Sequence, residues 1–191
     1  MKLYIGLVHH PIVGRDDTVV TTAVTNQDIH DLARSARTYD AAGYYIITPI
    51  AQQRSLVTRI VAHWRDGEGR NHQPTRARSF ERVHVADSIA TAVAEITKIT
   101  GHTPICIGTT ARPTNATTTY RAMGTRIANE QGSALLLLGT GWGLAPAAMA
   151  LAGVILPPIE AIAGRDGYNH LSVRSAGAIV LDRLLGTREP D

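Results

Sequence analysis

SALLLLGTGWGLAPAAMA, residues Ser133 to Ala150, joins the two features that decide the fold class. Its first half is an apolar run, Ala134 to Leu138, of strand length. Its second half has glycines at alternate positions, Gly139, Gly141 and Gly143, and then a short helical segment. A strand that is apolar on both sides is buried on both faces, as in parallel sheets covered by helices. Glycines behind such a strand make a tight turn, or they let the backbone approach a ligand and offer it N–H donors.

The same alternation extends in both directions. LYIGLVHH (Leu3 to His10), GYYIITP (Gly43 to Pro49), FERVHVAD (Phe80 to Asp87), TPICIGTTA (Thr103 to Ala111) and GVILPPI (Gly153 to Ile159) read as the other strands. Helical spacing places Ile29, Leu32, Ala33 and Ala36 on one face, with Asn26 or Asp28 as cap and Gly43 as terminator. It does the same for Leu56, Val57, Ile60, Val61 and Trp64, and for Ile89, Val93, Ile96 and Ile99. TTTYRAMGTRIANEQG and LSVRSAGAIVLDRLLG read as the last two helices, with Asn169 capping the second. Arg65 to Ser79 shows no apolar periodicity and reads as a loop. Six strands alternating with helices predict a mainly parallel six-stranded α/β sheet with helices on both faces. No composition break divides residues 1–191, so one domain is expected.

Composition narrows the function classes. Of 191 residues, 44% are hydrophobic and 18% charged, which is the balance of a folded globular chain. The single cysteine, Cys106, excludes a disulfide framework and any cysteine-rich metal site, and it reads as a small buried hydrophobe. No histidine pair has a ligand set for a metal. No apolar run approaches the roughly 18 residues of a membrane span, and no signal peptide opens the chain, so a cytoplasmic protein is expected. Of the 19 basic residues 17 are arginines, whose planar fork suits phosphate. Arg65, Arg70, Arg76, Arg78 and Arg82 fall within 18 residues, as a phosphate-tracking loop or a solvated one.

Ligands of such sheets bind beyond the C-terminal strand ends. The Gly139 loop lies there, but its spacing is not GxGxxG and no acidic residue follows in the right context, so a Rossmann NAD site is not expected. Asp28, His30, Asp31, Arg34 and Arg37 crowd the helix after the first strand, where Arg34 and Asp31 are one turn apart. Asn169, the loop before it, and the small residues Ser172, Ser175, Ala176, Gly177 and Ala178 form a third unusual segment. His9 and His10 end the first strand as rim or core residues, and His84 reads as structural. Trp142 is expected to pack rather than to stack on a ligand.

These three segments together resemble the SPOUT superfamily of S-adenosylmethionine-dependent RNA methyltransferases. DIHDLARSA is similar to its first motif, with Arg34 in the arginine position and Asp28 and His30 where the motif has Asn and Gly. LLLLGTGWGL resembles the second motif and NHLSVRSAGAIVL the third. YIGLVH, GYYI and LDRLLG extend the likeness to a bacterial branch over nearly the whole chain. The resemblance implies a C-terminal deep trefoil knot and a homodimer whose site draws on the first motif of either subunit. It implies S-adenosyl-L-methionine held by Leu138, Gly139, Thr140, Gly141, Gly143, Ile159, Gly164, Asn169, His170 and Leu171. It makes Arg34, Asp28, Asp31, His30 and Asn169 the candidate catalytic residues, and Arg34, Arg37, Arg76, Arg78 and Arg174 the candidate RNA contacts. The partner would be tRNA or rRNA, with no metal and no membrane. Two other readings stay open: a non-catalytic knotted RNA-binding module, and a nucleotide-binding α/β enzyme of another class.

Overall fold

Residues 1–112, 116–161 and 168–187 are described by the structure, a computed structural model. Six strands form one wholly parallel sheet: β1 (Lys2–Val8), β4 (Gly43–Ile47), β5 (Val83–Ala86), β6 (Ile105–Gly108), β7 (Ser133–Gly139) and β8 (Val154–Ile155). Their order is β5-β4-β1-β7-β6-β8. The expected strands are all present. Leu3, Ile5 and Leu7 of β1 face one core and Tyr4 and Val8 the other, the period-2 alternation of a strand buried on both faces.

Helices α1 (Asn26–Thr38), α2 (Ala51–Arg65), α6 (Tyr120–Asn129) and α8 (Val173–Leu185) cover the first face, and α5 (Ile89–Thr100) and α7 (Pro146–Met149) the second. Chain leaving β1 returns through α1 to β4, whereas chain leaving β7 goes the other way to β8. The adjacent ends of β1 and β7 are therefore the switch point of the sheet, where a crevice opens.

Several local expectations are corrected. Arg65–Ser79 is not a loop: it holds the short helices α3 (Glu68–His72) and α4 (Pro74–Phe80). Pro74 starts α4 without needing a backbone N–H, and Phe80 is buried against the stacked ring of Trp64. A two-stranded antiparallel pair, β2 (Ile12–Val13) and β3 (Val19–Val20), occupies the polar stretch after β1. The N-cap of α1 is Thr25, whose hydroxyl accepts from the Asp28 N–H, and that of α8 is Ser172 rather than Asn169. Tyr39 ends α1, and Gly43 instead opens β4. Leu56 and Ile99 are exposed, because their helices bury narrower stripes through Val57 and Val61 and through Ile89, Ala92 and Ile96.

His9 is a core histidine in a directed hydrogen-bond chain. Thr140 Oγ1 donates to the Val8 carbonyl at 3.0 Å, and a carbonyl only accepts. Thr140 then accepts from Thr22 Oγ1 at 2.5 Å, the shorter of that hydroxyl's contacts, the His9 carbonyl being 3.5 Å away. Thr22 in turn accepts from His9 Nδ1 at 2.9 Å. This places the ring proton on Nδ1 and leaves Nε2 as a buried acceptor without a partner among the described residues. Burial pulls the ring pKa down to about 4, against the opposing pull of Asp28.

The unfolded chain takes up this proton near pH 6.5 and the folded chain near pH 4. Folding stability is therefore expected to fall by about 3 kcal/mol as pH drops between those values and to level off below, for this group. Urea titrations across pH 4–7 check this. His9→Asn should remove that part of the slope, and an unchanged slope would assign it to another group.

Candidate functional site

A cleft of about 730 Å³ opens at the switch point, within the roughly 300–1,000 Å³ usual for sites of small-molecule ligands. Its floor is the end of β7 and the turn after it. Gly143 N–H closes that turn on the Thr140 carbonyl at 3.0 Å, with Gly141 at φ +54° and Gly143 at φ +102°. A Cβ at Gly139 would lie 2.6 Å from the Leu144 nitrogen, so the main chain there approaches itself as only glycine allows. A side chain at Gly141 would point at Thr22 and Ile12, beneath the turn.

One wall is the segment entering α1, with Thr22, Ala23, Thr25 and Asp28. The opposite wall follows β6 through Thr109, Thr110, Ala111 and Arg112. Tyr120 closes one side, and its hydroxyl donates to the Pro157 carbonyl at 3.0 Å. Ile159, Asn169, His170 and Leu171 lead into α8, whose Val173, Ala176 and Val180 complete the lining. Asn169 Nδ2 donates to the Ala111 carbonyl at 3.4 Å and ties that segment to the β6 loop. The cleft thus offers apolar side chains, backbone groups of a glycine turn, and hydroxyls, which suits a flat heteroaromatic ring with a polar tail.

Every residue expected to hold the cofactor lines this cleft except Gly164, which lies outside the described residues. The threonines at 22, 25, 109 and 110 were not among them; the only trace in the sequence is the polar, uncharged stretch before α1. Trp142 is 56% exposed on the cleft's edge, contrary to the expected packing.

The candidate catalytic residues separate. Asp28 lines the cleft, is nearly buried, and accepts a 2.7 Å bond from Arg174 Nη1. Asp31, Arg34 and Arg174 line a shallower groove of about 470 Å³ between α1 and α8. Asp31 Oδ2 lies 3.4 Å from Arg174 Nε, so its recorded ion pair is with Arg174 and not with Arg34, one turn along its own helix. His30 lines neither cavity. Its ring sits edge-on to Trp64 and Phe80 at 5.3 and 4.9 Å, and burial, with Arg76 nearby, holds its pKa below the usual histidine value. Arg76 lies over the Trp64 ring at 4.9 Å, Arg78 is exposed on α4, and Arg37 is half-buried on α1. Arg65 and Arg82 are paired with Asp66 and Asp40. Cys106 is buried, and burial pushes its thiol pKa up.

Among the described residues no group of His, Cys, Asp and Glu could hold a metal, and no helix is long and apolar enough to cross a membrane. The family described as SAM-dependent RNA methyltransferase matches residues 2–186. A tRNA (guanine-N(1)-)-methyltransferase of Nitratidesulfovibrio vulgaris is 42% identical over 187 residues, 97% of this chain and 42% of that protein. The chain thus spans less than half the length of that relative. An uncharacterized protein of Aquifex aeolicus is 36% identical over 190 residues, 100% of this chain and 91% of that protein. Among solved structures, the SpoU methyltransferase AviRb of Streptomyces viridochromogenes superposes with a TM-score of 0.60 at 14% identity, over 96% of this chain and 58% of that one. Its complex with AdoMet superposes at 0.53, over 97% and 56%. At that identity the likeness is one of fold, and it agrees with the expected mainly parallel α/β sheet with helices on both faces. With a family match over almost all its length, the chain belongs to the SAM-dependent RNA methyltransferases.

Proposed function

We propose that the switch-point cleft binds S-adenosyl-L-methionine and that this chain, acting as one domain, methylates tRNA or rRNA. The observation that carries this is the joining, in one cleft, of the Gly139–Gly143 turn, the Leu171–Val180 flank of α8, and an acidic side chain, Asp28. The printed name of the Nitratidesulfovibrio relative favours tRNA. When bound, S-adenosyl-L-methionine supplies an electrophilic methyl on a sulfonium sulfur.

The residues present fit that cofactor. Backbone groups of Leu138, Gly139, Gly141, Ile159 and Leu171 would hold the adenine, with Thr140 and Gly143 completing the turn beside it. Asn169 and His170 would complete the cofactor site from the segment before α8, which Asn169 ties to the Ala111 carbonyl. Asp28 receives the proton that the target nitrogen or oxygen sheds. Arg34 holds an RNA phosphate in the adjoining groove and so orients the target. His30, packed among aromatic rings, serves the fold and not the reaction. The α4 arginines Arg76 and Arg78, with Arg37, extend the RNA contact.

The path after β8 supports a trefoil knot. Ile155 N–H donates to Thr117 Oγ1 at 2.9 Å and Thr117 N–H to the Ile155 carbonyl at 3.0 Å, and farther on Asn169 reaches Ala111. The chain after β6 is therefore held both to β8 and to the approach to α8, contacts that a threaded loop would make. A homodimer is the expected assembly. A crystal structure with the cofactor tests both: an unthreaded trace of residues 156–172 removes the knot, and a monomer in the crystal and in ultracentrifugation removes the dimer.

Calorimetric titration is expected to give micromolar binding of S-adenosylmethionine and S-adenosylhomocysteine, with none of NADH or FMN. Ala176→Phe, which fills the cleft from α8, should weaken both by about tenfold or more. Unchanged affinity would place the cofactor elsewhere. Labelled methyl groups should pass from S-adenosylmethionine to total cellular RNA. Arg34→Ala should lower that transfer by about 10²-fold while cofactor affinity stays within a factor of two. RNA binding without any labelling would make the protein a binding module. Replacing Arg76 and Arg78 by Gln should flatten the salt dependence of RNA binding by about one to two in log–log slope. An unaltered slope would return α4 to a purely structural role.

A further inference from the structure

The cleft and the α1–α8 groove share one wall, and that wall is an ion pair. Asp28 faces the cleft, while Arg174 and Asp31 face the groove, and Ser172 borders both. The Asp28 side chain is 7% exposed, that of Arg174 31% and that of Asp31 49%. The guanidinium is therefore open to whatever enters the groove, and the carboxylate behind it is not. The groove is rich in donors. Arg34 and Arg174 bring guanidinium groups and Thr38 a hydroxyl, the Ser35 hydroxyl donates to the Asp31 carbonyl, and Asp31, already beside Arg174, is the one carboxylate of the lining. It also lies at the first turn of the 13-residue helix α8, the end that favours an anion. Two guanidinium forks lining one groove suit the oxygens of a phosphodiester.

We propose that a backbone phosphate of RNA entering this groove takes the Arg174 guanidinium from Asp28 and so releases Asp28 into the cleft. The proposal rests on the reading of the protein as an RNA methyltransferase. Arg174 is then a positioning residue: it binds phosphate on one side and holds the proton acceptor on the other. The exchange is close to balanced, since one charge-assisted pair replaces another. What it leaves is a nearly buried carboxylate without its cation, a group driven to take up a proton. A proton is what the methyl acceptor must lose. With no RNA in the groove Asp28 stays paired, and the two cavities remain divided.

A competition of this kind has a sign that a structural brace does not share. Total tRNA is titrated against the protein loaded with S-adenosylhomocysteine. Asp28→Asn, which frees Arg174, is expected to tighten RNA binding by about tenfold while abolishing methyl transfer. Arg174→Gln should weaken RNA binding by about tenfold and lower the salt slope by about one. Arg174→Lys, which keeps the cation, should retain the slope. In the Arg174→Gln background, Asp28→Asn should tighten nothing. Far-ultraviolet circular dichroism and urea unfolding, measured alongside, report that each variant is folded.

Tightening by Asp28→Asn that persists without Arg174 would reduce the effect to lost negative charge and overturn the proposal. So would unchanged or weakened binding by Asp28→Asn, or a wild-type salt slope in Arg174→Gln. A wild-type protein that binds S-adenosylhomocysteine but no tRNA, and labels no cellular RNA, would instead remove the RNA-enzyme reading and this proposal with it.

Discussion

Helix α8 packs closely on α1 at Gly177, where any side chain would have to displace leucine methyl groups. A Cβ at Gly177 would lie 2.6 Å from Leu32 Cδ2 of α1 and 3.1 Å from Leu138 Cδ1 at the end of β7. That single close approach sets the rest of the site. Arg174 precedes Gly177 by one turn and Asp28 precedes Leu32 by one turn, so each stands on the contact face of its own helix. Their 2.7 Å bond follows from the crossing. Ala176 and Val180, flanking the same turn, are set over the glycine floor that begins one residue after Leu138. A second small residue, Gly124 of α6, brings the Leu184 carbonyl oxygen within 2.8 Å of where a Cβ would stand, which fixes the other end of α8. Glycine inside a helix costs about 1 kcal/mol of intrinsic stability relative to alanine, a cost that packing this close offsets.

The sheet was legible because strands buried on both faces leave nearly continuous apolar runs. Leu135, Leu136, Leu137 and Leu138 alternate between two cores, and no polar residue interrupts them. The α3–α4 corner was not legible, because its order comes from tertiary partners. Its helices span 5 and 7 residues, too few for periodicity to register. They hold their place through Phe80 under Trp64 and Arg76 over it. The capping errors have a similar origin. Thr25, Asn26 and Asp28 are all good cap residues, and Asp28 is already committed to Arg174 across 146 residues of chain, so the cap falls to Thr25.

The site was legible in its backbone and not in its side-chain wiring. Alternate glycines announce a main chain that must turn sharply, and a turn needing positive φ can be read from composition alone. Threonines announce nothing. Thr22 and Thr140 matter because they link His9 to the Val8 carbonyl through contacts up to 132 residues apart. The local rule that Asp31 and Arg34 pair at one turn's spacing also gave way. A surface pair of that kind is worth only a few tenths of a kcal/mol, so a tertiary partner displaces it readily.

Two departures from the first motif, Asp28 and His30, each find a physical partner in the fold. An asparagine at 28 would need hydrogen bonds but no counter-ion. An aspartate that is 7% exposed needs a cation, since an unpaired buried charge costs several kcal/mol. Arg174 is that cation, and it stands in the segment that resembles the third motif. A glycine at 30 would leave space beside Trp64 and Phe80 that the imidazole fills, edge-on to both rings. Both departures are thus accommodated by their surroundings in this fold. At position 30 the change is absorbed by packing, the imidazole lying edge-on to two aromatic rings. At position 28 it is balanced by a charge that stands on the rim of a groove open to solvent. A balance of that kind holds only while nothing more negative than Asp28 occupies the groove. The exchange proposed for the groove acts on that balance, because Arg174 is the more exposed member of the pair.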